Sequence, residues 1–83
     1  MSLRLPPASG RQIVRLLELL EYQVIRQRGS HIRMRKATPL GQHSVTIPDH
    51  REVARGTLND ILNEVSLWNS IPKERLIEML REL

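Results

Sequence analysis

Eighty-three residues carry thirteen Lys and Arg against nine Asp and Glu, with three His and no Cys, for a formal net charge of +4. A chain this short forms one small domain with a modest core, burying around 60–65% of its unfolded surface. The lack of Cys excludes disulfide stapling and a thiolate metal site and fits a reducing, cytoplasmic compartment, while no apolar run approaches the ~18 residues of a membrane span and no apolar h-region marks a secretory signal.

Residues 1–8, with Pro6 and Pro7 and no periodicity, read as an extended or mobile tail, leaving 9–83 as the domain. Ser9 is placed to cap a helix over about 9–21. Its apolar face is Ile13, Leu16, Leu17 and Leu20, widened by Val14 and Leu19. Tyr22–Arg28 has strand composition. Gly29 and Ser30 turn the chain, since glycine tolerates positive φ and serine tightens turns by local hydrogen bonding. His31–Lys36 alternates, with His31, Arg33 and Arg35 on one side and Ile32 and Met34 on the other. A second turn spans Ala37–Gln42, with Pro39 and Gly41. The third strand, His43–Pro48, turns Val45 and Ile47 inward and Ser44 and Thr46 outward. A loop runs to Arg55. Leu58, Ile61, Leu62 and Val65 then mark a helix from about Gly56 or Thr57 to Ser66, and Leu67–Asn69 reads as a connection. Ser70 is a cap for a last helix that opens at Pro72. Its face of Leu76, Met79, Leu80 and Leu83 either completes the core or meets a partner.

The order is α-β-β-β-α plus a C-terminal helix, an α+β domain. Helices packed on one face of a three-stranded antiparallel sheet bury both apolar stripes and the inward set Ile25, Ile32, Met34, Val45 and Ile47. The other sheet face then carries Arg26, Arg28, His31, Arg33, Arg35, Ser44 and Thr46. From Arg26 to Lys36 no acidic residue interrupts the basic ones. Such a cluster suits a nucleic acid, because neutralising phosphates releases counterions. His31 adds a side chain whose unperturbed pKa is near neutrality, able to give or take a proton.

Gln27-Arg28-Gly29-Ser30-His31, Val45-Thr46-Ile47-Pro48-Asp49-His50 and Arg55-Gly56-Thr57-Leu58 with Ile61-Leu62, following the first helix, resemble the HicA toxin family over roughly residues 9–67. The ordered set is more specific than any one piece. The resemblance implies a double-stranded-RNA-binding-domain-like (dsRBD-like) α-β-β-β-α fold. It also implies an mRNA interferase of a type II toxin–antitoxin module, neutralised by a HicB-type antitoxin. The family's catalytic histidine, that of Gly-Ser-His, falls on His31. The chain departs from the family pattern in having Glu21-Tyr22 for Gly-Phe, Ile32 where a second histidine is common, and a longer Ala37–Gln42 turn.

Beside that resemblance stands the chemistry of the residues. RNA carries its own nucleophile, the 2′-hydroxyl, so a ribonuclease without metal or other cofactor needs a base, an acid and cations for the charge on phosphorus. His31 is the candidate base or acid, and Arg26, Arg28, Ser30, Arg33, Arg35 and Lys36 are candidate RNA-binding residues. His50 is the candidate for a second acid or base, outweighed by a loop-capping role through backbone groups. His43 reads as surface and Trp68 as a core or partner contact. No metal-ligand spacing recurs among His31, His43 and His50. Two other functions compete with the endoribonuclease: an RNA-binding module without cleavage, and a protein whose main business is its partner. An antitoxin is expected to cover His31 with an acidic surface.

Overall fold

The computed structural model describes residues 4–83. The elements follow in the order α1 (Gly10–Leu19), β1 (Gln23–Arg28), β2 (His31–Thr38), β3 (Gly41–Pro48), α2 (Arg55–Asn69) and α3 (Lys73–Arg81). The sheet is antiparallel in the order β1-β2-β3. This is the expected α+β, dsRBD-like arrangement. Among the described residues no helix is long and apolar enough to cross a membrane.

Sequence dictates the start of α1 closely. The Ser9 hydroxyl accepts from the Gln12 amide, and the Gln12 side chain accepts from the Ser9 amide, a reciprocal capping box. Ile13, Val14, Leu16 and Leu17 are buried, whereas Leu19, expected in the stripe, is 62% exposed. The helix stops at Leu20, and Glu21 takes a left-handed φ of 74°. There the Tyr22 amide reaches back to the Leu17 carbonyl at 2.9 Å. Glycine usually fills such a position; a residue with a Cβ there costs about 1–2 kcal/mol.

Ile32, Met34, Val45 and Ile47 form the sheet's contribution to the core, as expected. Ile25 does not. It lies at a bulge between Val24 and Arg26 and is 43% exposed. All six residues of β1 are exposed, because the helices cover the rest of the sheet and leave this edge strand open. The β2–β3 connection is also tighter than expected. Pairing runs out to Thr38 and Gly41, so only Pro39 and Leu40 turn the chain, with Gly41 at φ 120°.

Helix α2 continues through the expected connection Leu67–Asn69, because Trp68 and Asn69 have partners on the sheet side, described below. It ends at Ser70 in the left-handed region, so Ser70 terminates α2 and Pro72 caps α3. Leu76, Ile77 and Leu80 bury into the common core with α1 and α2, and Leu83 packs against it. Helix α3 therefore completes the core. Ahead of Ser9, Ala8 is buried, Leu5 packs on the core and the Ala8 carbonyl accepts from the Val53 amide. The first three residues of the expected tail lie outside the described residues.

Candidate functional site

The β1–β2 hairpin is fixed at its tip. Gly29 adopts φ 58°, which its missing Cβ allows, and β2 begins two residues later at His31. The Ser30 carbonyl accepts from the Asp49 amide at 2.7 Å. The Asp49 carboxylate is gripped by Arg11 through two bonds, 3.1 Å from Nε and 2.9 Å from Nη2, and meets the Gln27 amide at 3.4 Å. Gly10 lets α1 approach the end of β3 so closely that a Cβ there would sit 2.1 Å from the Pro48 carbonyl oxygen. The Gly10 amide donates to the His50 carbonyl at 2.9 Å. The start of α1, the exit of β3 and the hairpin tip are thus locked together beside His31. Arg11 was not legible as part of this lock, since nothing local pairs it with a carboxylate 38 positions away.

Strand register decides which side chains share a face. His31 stands between Arg28 on β1 and Pro48 on β3; Arg33 stands between Arg26 and Thr46; Arg35 stands between Gln23 and Ser44. Directly opposed side chains have Cβ atoms about 4.5–5.5 Å apart. The exposed His31 therefore shares one face with Arg26, Arg28, Arg33 and Arg35, while Ile32, Met34, Val45 and Ile47 are buried on the other. Arg33 Nη1 donates to the Thr46 hydroxyl at 3.1 Å, and Arg35 Nε to the Ser44 hydroxyl at 3.3 Å. These bonds steady two guanidinium groups without neutralising them. Among the described residues none of the four arginines has an ion-pair partner. The face can accept an anion along its length.

One expected site residue, Lys36, lies on the opposite side of the sheet. Lys36 follows Ile32 and Met34 in the pleat and pairs with His43, so it points to the helix side. Its ammonium donates to Asn69 Oδ1 at 2.5 Å and lies 5.7 Å from the Tyr22 ring centroid. His50 is exposed at the exit of β3, and it is its backbone carbonyl that meets α1. Ser30, by contrast, is exposed at the hairpin tip next to His31.

The expectation that His43 is surface is overturned: it is 3% exposed. Its parity with Val45 and Ile47 could have revealed this. Its ring stacks on Trp68 at 5.0 Å, and Nδ1 lies 2.6 Å from the Tyr22 hydroxyl. Asn69 Nδ2 donates to that hydroxyl at 2.9 Å and to the Val65 carbonyl. Tyr22 thus has its own proton to give, and the geometry makes His43 Nδ1 the acceptor and Nε2 the proton-bearing nitrogen. Among the described residues Nε2 has no hydrogen-bond partner; Glu64 Oε1 is 3.9 Å away. Burial lowers the His43 pKa below its ordinary value, against the pull of Glu64. Burial likewise raises that of Tyr22, opposed by the Asn69 bond. This cluster belongs to the packing between sheet and α2, away from the arginine face. Among the described residues no three His, Asp or Glu side chains come together as a metal-ligand set would.

A three-stranded antiparallel sheet, helices on one side and an open cationic side on the other, defines a small α+β domain of dsRBD-like architecture. The family model described as "HicA toxin of bacterial toxin-antitoxin" matches residues 10–67, from the start of α1 to near the end of α2. The chain belongs to the HicA toxin family and is a toxin of a toxin–antitoxin module, paired with a HicB antitoxin. Helix α3 lies outside the matched range. Comparison with the curated proteins and with the solved structures yields no match.

Proposed function

We propose that the protein is an endoribonuclease that cleaves mRNA, with His31 as its acid–base group and no metal required. The observation that carries this reading is the exposed His31 imidazole on one sheet face with four arginines that no carboxylate neutralises. The arginines hold the RNA backbone, their guanidinium forks matching phosphate oxygens, and stabilise the charge that grows on phosphorus. His31 takes the proton of the 2′-hydroxyl. The 2′-oxygen bonds to phosphorus, the bond to the 5′-oxygen breaks, and an acid returns a proton to that leaving oxygen. The product is a 2′,3′-cyclic phosphate. DNA, which lacks the nucleophile, is bound but not cut. His50, exposed just past the exit of β3, is the candidate for the acid. General acid–base help of this kind contributes about 10²–10⁴-fold. The HicB antitoxin is proposed to cover His31 with an acidic surface.

Purified protein is expected to cut RNA in EDTA, and His31→Ala to abolish cutting while leaving the circular dichroism spectrum unchanged. A His31→Ala variant that cuts normally would overturn the assignment. One observation favours the runner-up, an RNA-binding module without cleavage: no side chain among the described residues hydrogen-bonds His31 to orient it. On that reading intact RNA is bound with the same affinity by wild type and His31→Ala, and never cleaved.

A further inference from the structure

At the end of the arginine face remote from the hairpin tip lies a hollow of about 300 Å³ whose lining includes Glu21, Gln23, Ile25, Arg35, Ala37 and Gln42. Its make-up is unlike the rest of that face. Gln23 sits opposite Arg35, and Gln42 opposite Ala37, so two carboxamides and a guanidinium share the outer side across all three strands. The bulge in β1 brings Ile25 to the same hollow rather than to the core. Bulges commonly re-aim a side chain beside a site. Here the result is an aliphatic surface among polar groups, on a face otherwise given to cations.

We infer that this hollow is a subsite that reads one base of single-stranded RNA. The inference rests on the proposed ribonuclease reading for the placing of the scissile phosphate at His31. The volume is at the lower end of small-molecule sites, room for one base. Ile25 and Ala37 offer the base an apolar surface. The carboxamides of Gln23 and Gln42 each present a donor and an acceptor, the groups that pair with a base edge. Arg35, also in the lining, is the cation for the adjoining phosphate. A bare phosphate would use the cation but neither the carboxamides nor the aliphatic carbon. The bases must be unstacked and splayed to enter, which a single strand permits and an A-form duplex does not. From His31 to Arg35 is four residues of β-strand, about 13 Å. The base read is therefore on the order of two nucleotides from the cut. No aromatic ring lines the hollow, so it supplies preference among bases more than affinity.

The test uses the full chain, isotope-labelled, titrated with 2′-O-methyl hexanucleotides of each base, whose blocked 2′-oxygen cannot attack. The side-chain amide signals of Gln23 and Gln42 are expected to shift, with one base bound about fivefold more tightly than the weakest. Gln23→Ala/Gln42→Ala is expected to erase that ranking, and with cleavable RNA to relax the choice of cut site. Shifts confined to the His31–Arg33 end, or a cut-site pattern the double variant leaves intact, would overturn the subsite and leave the ribonuclease reading standing. Base-ranked shifts at Gln23 and Gln42 in a protein that cuts no RNA would support the subsite and remove the ribonuclease.

Discussion

Tyr22→Phe removes one oxygen from the middle of a chain of buried hydrogen bonds, and its cost follows from what is left behind. The Tyr22 side chain is 2% exposed. Its hydroxyl accepts from Asn69 Nδ2 and donates to His43 Nδ1, at 2.9 and 2.6 Å. The Val65 bond of Asn69 survives the change, but Nδ1 loses its donor in a ring whose Nε2 already lacks a partner. A hydrogen bond made in the folded state nets about 1 kcal/mol, and a buried polar atom stranded by losing its partner costs about 1–3 kcal/mol. The expected loss is about 2 kcal/mol, which lowers Tm by roughly 8–16 °C for a domain of this size. Urea denaturation with an unchanged m-value is the measurement. RNA cleavage at low temperature should be untouched, since the cluster lies across the sheet from His31. A loss below about 0.5 kcal/mol would refute the reasoning, for it would mean that the network adds nothing net to folding. A loss of cleavage without a loss of stability would place Tyr22 in the chemistry instead.

Because burial holds the His43 pKa below 6.5 in the folded protein, the unfolded chain binds a proton that the native state refuses. Stability is then full above pH 6.5 and falls as pH drops toward the folded value; Tm measured from pH 7.5 to 5 should decline, and more steeply than in His43→Gln. Glu21→Gly relieves a left-handed residue with φ 74° and should raise stability by up to about 1 kcal/mol in thermal unfolding. Gly10→Ala drives a Cβ into the Pro48 carbonyl and should cost about 3 kcal/mol, at the upper end for overpacking, with loss of the Gly10–His50 bond seen as faster exchange of the Gly10 amide.

Much of the fold is legible in short-range pattern. Ser9 with Gln12 three positions on marks the start of α1, and the alternation from His31 to Arg35 settles which side of β2 meets the helices. The same alternation, carried one residue further, places Lys36 on the helix side, and carried backwards from Val45 it buries His43. Both were obscured by chemistry: a lysine in a basic run suggests the basic face, and a histidine beside a turn suggests solvent. The bulge at Ile25 has no such signature, since nothing in Val24-Ile25-Arg26 shows where the pleat is interrupted.

By itself the sequence determined the element order, the burial of most of the aliphatic rows and the gathering of arginines around His31, because period and charge are local properties of a chain. It carried the family as well, through motifs at fixed spacing. Tertiary structure decided what depends on residues far apart in the chain. Arg11 grips Asp49, Tyr22 and Asn69 close around His43, and Gln23 meets Arg35 and Gln42 around one hollow. Such pairings are set by how three strands and three helices pack together, and no stretch of the chain encodes that alone.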